Sequence, residues 1–279
     1  MTGNLQLLAD TLARAKQENR AALITGMTAG FPTVNEGIAA IRAMLNSGAD
    51  ILEVGLPHSD PLLDGPVIQA ADDIALRGGV RIADVIRTVR EAYQATGKPV
   101  VVMSYWNPID RYGVDRFCDE LAAAGGAGCI LPDLPVQESA PWRESAARHS
   151  LATIFVAAPS TTDERLRELT AAGSGFIYAS SLMGVTGTRD SVNAAASSLV
   201  QRIRATTGLP VCVGIGISNA AHAAQVAGFA DGVIVASALV KAVLGASDAA
   251  AGVATVAELT GQLSLATRRE LELMPPVGA

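Results

Sequence analysis

The sequence predicts an α/β protein of the (β/α)₈ barrel class with one extra helix at its N-terminus. Eight short apolar runs alternate along the chain with segments of helical periodicity. The runs are apolar at successive positions, a pattern typical of parallel strands that are covered on both faces. No linker or shift in composition divides the chain. We therefore expect residues 1–272 to form a single barrel domain and residues 273–279 to be a disordered tail.

The elements follow in a regular order. Residues 5–16 have apolar side chains at helical spacing and predict the leading helix. Thr33 can cap the helix that follows the first strand. The eight predicted strands are residues 21–27, 51–55, 100–104, 128–131, 152–156, 175–179, 211–214 and 232–236. The later helices are predicted at residues 67–95, 113–123, 136–149, 162–172, 191–206 and 219–227, and then through residue 271.

A doubly wound sheet is the alternative fold. It has little support, because no Gly-x-Gly-x-x-Gly sequence follows the first strand.

The composition narrows the classes of partner. The chain is 49% hydrophobic and 17% charged, with a net charge of −6 and a pI near 5.1. An acidic chain with 4% aromatic residues is a poor match for nucleic acid. No apolar stretch approaches the ~20 residues that cross a bilayer, and no signal peptide is visible. We expect a cytoplasmic protein that binds neither nucleic acid nor membrane.

Several kinds of catalytic chemistry lack the residues they need. Cys118, Cys129 and Cys212 are widely spaced, and reduced buried thiols are expected. The three histidines have no second ligand at metal-binding spacing, so we expect no metal. No lysine lies well within a predicted strand, which argues against a Schiff base. The catalytic groups that remain are carboxylates, together with a site for phosphate.

The stretch at residues 51–66 contains two acids in different settings. Glu53 lies in the apolar second strand, where burial would raise its pKa. Asp64 lies in the following loop, where prolines prevent helix formation. Each acid alone could be structural, Glu53 satisfied by backbone donors and Asp64 by its turn. Two carboxyls in contrasting environments are, however, how proteins separate a proton donor from a proton acceptor.

Other loops follow the carboxyl ends of strands, where barrel active sites lie. Asp133 is a third candidate acid, but between two prolines it is expected to fix its loop. Residues 180–187 could be a mobile lid. Residues 214–218, together with a helix N-terminus capped by Ser237, predict an anion site, although Ser218 and Ser237 could merely be helix caps.

Five runs of the sequence resemble the tryptophan synthase α subunit family, in this order over nearly the whole chain. The first, Glu-Val-Gly-Leu-Pro-x-Ser-Asp-Pro-x-x-Asp-Gly-Pro, is highly specific. The runs span residues 53–66, 132–135, 184–187, 214–218 and 237–241.

The resemblance implies a barrel that cleaves indole-3-glycerol phosphate into indole and glyceraldehyde 3-phosphate, without metal or organic cofactor. It implies that Glu53 delivers the proton to indole C3 and assists removal of the glycerol hydroxyl proton. Asp64 would accept a hydrogen bond from the indole N–H and stabilise positive charge on the ring.

The resemblance also implies further site residues and a partner. Tyr178 and Thr186 would lie beside the substrate and the acids. A β subunit would carry pyridoxal phosphate in an α₂β₂ assembly, docked at a face that includes Pro57 and Asp60. The indole pocket would be lined by Ile68, Met103, Ile130 and Ile234, and the phosphate would be held by Gly187, Gly216, Ala236 and Ser237.

The chain departs from the usual family pattern at four positions. His58 and Gly26 stand where aromatic residues are usual, Ala236 replaces a common glycine, and Leu182 stands where some members have arginine. The first two bear on partner docking and pocket shape.

Three alternatives stay open. The first is a free-standing lyase that releases indole without a β subunit. The second is a catalytically silent barrel that binds a phosphorylated ligand, against which the presence of both Glu53 and Asp64 speaks. The third is another phosphate-binding barrel enzyme, for which a basic residue on a strand would be expected.

Overall fold

All the described strands belong to one parallel sheet. The computed structural model describes residues 3–180, 189–214 and 216–269. The strands are β1 (Ala22–Thr28), β2 (Ile51–Gly55), β3 (Val100–Met103), β4 (Gly126–Ile130), β5 (Ala152–Ile154), β6 (Val156–Ala157), β7 (Ile177–Ser180), β8 (Val211–Gly214) and β9 (Gly232–Val235). Their order across the sheet is β5-β4-β3-β2-β1-β9-β8-β7-β6.

The sheet curls into a nearly closed barrel of eight strand positions. β5 and β6 lie at opposite ends of the sheet order, yet Phe155 alone separates them in the sequence. They are two parts of the strand that was predicted at residues 152–156. Each part pairs with one neighbour, β5 with β4 and β6 with β7. The predicted barrel class is confirmed, with the fifth strand divided at Phe155.

Helices surround this sheet. They are α1 (Asn4–Gln17), α2 (Val34–Asn46), α3 (Pro66–Arg77), α4 (Ile82–Thr96), α5 (Trp106–Tyr112), α6 (Val114–Ala123), α7 (Ala140–Arg148), α8 (Asp163–Ala172), α9 (Arg189–Arg204), α10 (Ala220–Ala227), α11 (Ser237–Leu244) and α12 (Ala249–Ala266). No helix among the described residues is long and apolar enough to cross a membrane.

Two apolar clusters stabilise the barrel. The larger cluster lies between the sheet and the helices around it. The smaller one fills the barrel interior, where Ile24, Ile51 and Ile234 pack together. Leu8 and Leu12 of α1 belong to this inner cluster. The leading helix therefore covers the amino-terminal end of the barrel and leaves the carboxyl end of the strands for the site.

The structure divides two predicted helical segments and adds a helix before a third. Residues 67–95 form α3 and α4, because Gly79 adopts a left-handed φ of 81° that ends the first helix. The segment predicted at residues 113–123 is preceded by α5, whose first turn tolerates Pro108. Residues 136–149 form a short 3₁₀ helix, Val136–Glu138, followed by α7. These differences move no strand of the sheet.

Candidate active site

A cavity of about 600 Å³ opens at the carboxyl end of the strands. This volume is typical of a site for a small organic molecule. Most of the residues predicted from the sequence to form the site line this cavity. They are Glu53, Asp64, Ile68, Met103, Tyr178, Gly216, Ile234, Ala236 and Ser237. Residues from four strands, three loops and two helices are thus brought together by barrel closure.

Glu53 is the buried acid of the cavity. It is the third residue of β2, and its side chain is 5% exposed. Its Oε2 atom has no hydrogen-bond partner among the described residues. Burial, and to a lesser degree the charge of Asp64, raises the pKa of Glu53 from 4.5 to about 7. The carboxyl can therefore both give and take a proton near neutral pH.

Asp64 lies on the loop between β2 and α3 and faces the same cavity. Its Oδ2 atom accepts a hydrogen bond of 2.9 Å from the Tyr105 hydroxyl. The backbone N–H of Leu63 in turn donates to that hydroxyl at 2.9 Å. Burial raises the pKa of Asp64, while the Tyr105 hydrogen bond and nearby His58 oppose this rise. Turn chemistry alone does not account for Asp64, because its carboxylate is held by a residue from another strand end.

Tyr105 and Asp72 are site residues that the sequence analysis missed. The Tyr105 ring stacks on His58 with 4.9 Å between ring centroids. Asp72 of α3 lines the cavity and is 5% exposed. It accepts hydrogen bonds from the Thr28 hydroxyl at 3.0 Å and from the His58 backbone N–H at 3.4 Å. Burial raises the pKa of Asp72 to about 6.

The sequence held a signal for each of these residues. Thr28 ends β1 and Tyr105 lies two residues after β3, at the end of the strands where barrel sites form. Asp72 lies on the apolar face of a helical segment, between the buried Ala71 and Ala75. An acid on an apolar face is an informative exception.

Tyr178 reaches over β8 from the neighbouring strand β7. A Cβ atom placed on Gly214 would lie 2.1 Å from the Tyr178 hydroxyl oxygen. Glycine at position 214 therefore creates the room that the Tyr178 ring occupies. Burial and the adjacent Glu53 raise the pKa of Tyr178 well above its ordinary value, so its hydroxyl stays protonated.

The predicted phosphate residues form one side of the cavity. Gly216 lines the cavity and has a φ of 65°, a conformation that favours glycine. Helix α11 begins at Ser237, so its first backbone N–H groups lack partners within the helix. Ala236, and not Ser237, is the capping residue, and it makes no side-chain cap. The prediction that Ser237 caps the helix was wrong, and its hydroxyl is unused within the described structure.

Other predicted residues lie elsewhere. Ile130 is fully buried in the inner apolar cluster and is not among the residues that line the cavity. Thr186, Gly187 and Leu182 lie outside the described residues. Pro57 is buried, whereas Asp60 is exposed.

The segment after Asp60 exposes two apolar side chains. Leu62 is 90% exposed and Leu63 is 61% exposed. The face at the mouth of the cavity therefore combines an acid with apolar surface.

Asp133 has the structural role that was favoured for it. Its two carboxylate oxygens accept hydrogen bonds from the Trp106 backbone N–H at 2.9 and 3.0 Å, at the start of α5. Within the described parts of the chain, no cluster of three potential metal ligands occurs. The described cysteines Cys118, Cys129 and Cys212 are free and buried, as expected.

The sequence matches one known family over most of its length. Residues 12–268 match the family model for the tryptophan synthase alpha chain. The tryptophan synthase alpha chain of Streptomyces coelicolor is 70% identical over 268 residues, which cover 96% of this chain and 99% of that relative. The corresponding chain of Streptomyces avermitilis is 72% identical over 263 residues, covering 94% and 95%.

Solved structures give the same result. A Mycobacterium tuberculosis tryptophan synthase structure has a chain that is 46% identical, with a TM-score of 0.88 over 94% of this chain and 98% of its own. The alpha subunit from Legionella pneumophila is 32% identical, with a TM-score of 0.85 over 96% and 99%.

Proposed function

The chain belongs to the tryptophan synthase alpha chain family, and from this premise we propose that Glu53 and Asp64 are the residues that carry its reaction. The protein is a carbon–carbon lyase of tryptophan biosynthesis, which cleaves indole-3-glycerol phosphate to indole and glyceraldehyde 3-phosphate. The single observation that carries the residue assignment is the pairing of a buried Glu53 with a tyrosine-bound Asp64 across one cavity.

In the proposed mechanism, Glu53 first donates its proton to indole C3. A pKa of about 7 keeps a large fraction of this carboxyl protonated at neutral pH. Protonation at C3 interrupts the aromatic ring and places positive charge towards the ring nitrogen. Asp64 accepts the N–H hydrogen bond and stabilises that charge. The hydrogen bond from Tyr105 holds the Asp64 carboxylate in place for this role.

Cleavage then restores the ring and returns the proton. The Glu53 carboxylate removes the proton from the glycerol hydroxyl, a carbonyl forms, and the carbon–carbon bond breaks. The electron pair of that bond returns to the indole ring. The products are indole and the aldehyde, and Glu53 ends protonated, as it began. Tyr178 borders this reaction space, while Ile68, Met103 and Ile234 supply its apolar walls.

We propose that the phosphate binds between Gly216, Ala236 and Ser237. Backbone N–H groups at a helix N-terminus and beside glycine are well suited to an anion. This arrangement fixes one end of the substrate and directs the indole towards Glu53. Gly187 and Thr186 remain predicted members of the site.

Removal of the Ser237 hydroxyl tests the phosphate site. We expect Ser237→Ala to raise KM for indole-3-glycerol phosphate roughly tenfold or more, because a hydrogen bond to a charged group is lost in ground state and transition state alike. Steady-state kinetics should show kcat within about twofold of the parent. Ser247→Ala, an exposed serine outside the cavity, serves as the control. A lower kcat with unchanged KM would contradict the assignment.

The family implies a β subunit as partner. We further propose an α₂β₂ assembly in which the partner carries pyridoxal phosphate, while the cleavage itself needs no cofactor or metal. The exposed Asp60, Leu62 and Leu63 form a suitable docking face, whereas Pro57, which precedes them in the chain, is buried.

A cytoplasmic location is proposed as well, since a reducing compartment preserves free thiols. We also propose residues 1–272 as one domain, supported by the single sheet.

Indole release tests the proposed function directly. The purified chain is assayed with indole-3-glycerol phosphate alone and again with a tryptophan synthase β subunit from the same source. A slow rate that rises strongly on mixing is expected. A fast rate that ignores the partner would indicate a free-standing lyase, and no indole in either assay would indicate a silent binding barrel.

A further inference from the structure

Gly26, Glu53 and Ala236 meet at one level of the barrel. Gly26 of β1 is in register with Glu53 of β2. On the other side of β1, Thr25 is in register with Val235 of β9, which places Ala236 next to Gly26. Glu53 and Ala236 both line the cavity. Gly26 and Ala236 therefore both lie at the level of Glu53 in the barrel.

The room between these residues admits only one side chain. A Cβ atom on Gly26 would lie 2.6 Å from the Ala236 Cβ and 3.3 Å from Glu53 Oε1. The nearer atom is attached to backbone at the start of α11, so it cannot rotate away. Gly26 does not have a positive φ, so its backbone conformation is open to other residues. Glycine is required at position 26 by the lack of space for a side chain, and not by the backbone conformation.

Glu53 is sensitive to its neighbours because little else holds it. Its Oε2 atom has no hydrogen-bond partner in the described structure. Packing therefore determines where the carboxyl lies. A displacement of about 1 Å from the productive geometry can cost a catalytic group up to ~100-fold in rate.

We propose that Gly26 and Ala236 are a complementary pair of positioning residues, in which the methyl group of Ala236 takes the only side-chain space and leaves Glu53 against the bare backbone of β1. This inference deepens the proposed function and rests on the role of Glu53 in it. A side chain at position 26 requires the loss of the side chain at position 236.

A double-mutant cycle tests the pair. The proteins are the parent, Gly26→Ala, Ala236→Gly and the double variant. We expect Gly26→Ala to lower kcat about tenfold, since the added methyl group lies 3.3 Å from Glu53 Oε1, and to raise KM as well, since it also displaces Ala236 of the proposed phosphate site. Ala236→Gly has its own effect on KM, because it lies in the proposed phosphate site. The double variant should recover at least fivefold of the lost kcat.

A further readout separates positioning from general damage. The pH dependence of kcat/KM should change in Gly26→Ala, since the added methyl group alters the surroundings of Glu53, and it should return towards the parent profile in the double variant. Gly252→Ala is the matched control. Gly252 is a buried glycine of α12 whose added Cβ would make only ordinary contacts, the nearest at 3.5 Å. Its kcat should equal that of the parent.

The midpoint of thermal unfolding keeps the test independent of activity. Gly26→Ala should lower this midpoint, and Ala236→Gly in the same chain should restore it. If the two substitutions had non-additive effects on the unfolding midpoint but additive effects on kcat, the positioning role would be overturned. If their effects were additive on both quantities, the two residues would not be a pair at all. If Glu53→Gln were as active as the parent, the proposed function would fail, while the packing of the pair would still be measured by unfolding.

Discussion

Replacement of Glu53 with glutamine is expected to lower kcat for indole release at least ~100-fold, the usual scale for a positioned proton-transfer group. Glutamine retains the shape of the side chain and cannot donate an acidic proton or accept one. The reaction needs both steps, the delivery of a proton to indole C3 and its recovery from the glycerol hydroxyl. Among the described residues the cavity offers no equivalent group at the same place, because the Asp64 carboxylate is bound by Tyr105 and Asp72 by Thr28.

Single-turnover and steady-state measurements with indole-3-glycerol phosphate check this expectation. KM should change little, since the binding contacts with phosphate and ring remain. Circular dichroism should show an intact fold. Glu258→Gln, an exposed glutamate on α12, is the control and should retain the parent rate. A near-normal turnover in folded Glu53→Gln would remove Glu53 from the mechanism.

The same substitution should increase stability, and the increase should depend on pH. Burial raises the pKa of Glu53 from 4.5 to about 7. At about 1.4 kcal/mol for each pH unit, ionisation of Glu53 therefore costs the folded state roughly 3 kcal/mol. The folded protein keeps its proton between these two pH values while the unfolded chain has lost it. Stability from this group therefore falls as pH rises from 4.5 to about 7. Glutamine is neutral throughout and avoids the loss.

Denaturant unfolding at two pH values measures this effect. At pH 8.5, Glu53→Gln should exceed the parent by roughly 3 kcal/mol in free energy of unfolding, and at pH 5 by less than about 1 kcal/mol. Other titrating groups, including Asp64 and Asp72, are present in both proteins and largely cancel. The control Glu258→Gln should show no such pH-dependent gain. Equal stability of the two proteins at pH 8.5 would mean that Glu53 is not desolvated in the folded state.

The two predictions together describe a trade between activity and stability. A buried carboxyl without a hydrogen-bond partner at Oε2 is costly, and apolar or neutral residues would pack there at lower free energy. The cost is also what brings the pKa of Glu53 into the range where it can act as acid and base. A variant that is more stable and inactive would show that one physical cause produces both results.

Local pattern determined the elements and the main acids of this protein. The apolar runs predicted the strands because parallel strands are buried on both faces. Glu53 could be recognised from its place inside such a run, and Asp64 from its proline-rich loop. The loop residues that follow the carboxyl ends of the strands could be assigned to the site, because barrel closure places all of those ends at one mouth.

Contacts between distant segments were decided by the tertiary structure alone. The bond from Tyr105 to Asp64 joins residues 41 positions apart, and the bond from Thr28 to Asp72 joins residues 44 positions apart. The division of the fifth strand at Phe155 follows from closure, since the two parts pair with different neighbours. The mutual exclusion of side chains at positions 26 and 236 follows from the 2.6 Å that would separate a Cβ atom on Gly26 from the Ala236 Cβ. Periodicity reports which face of an element is buried, whereas distances of this kind are fixed only when the closed sheet sets each strand against its neighbours.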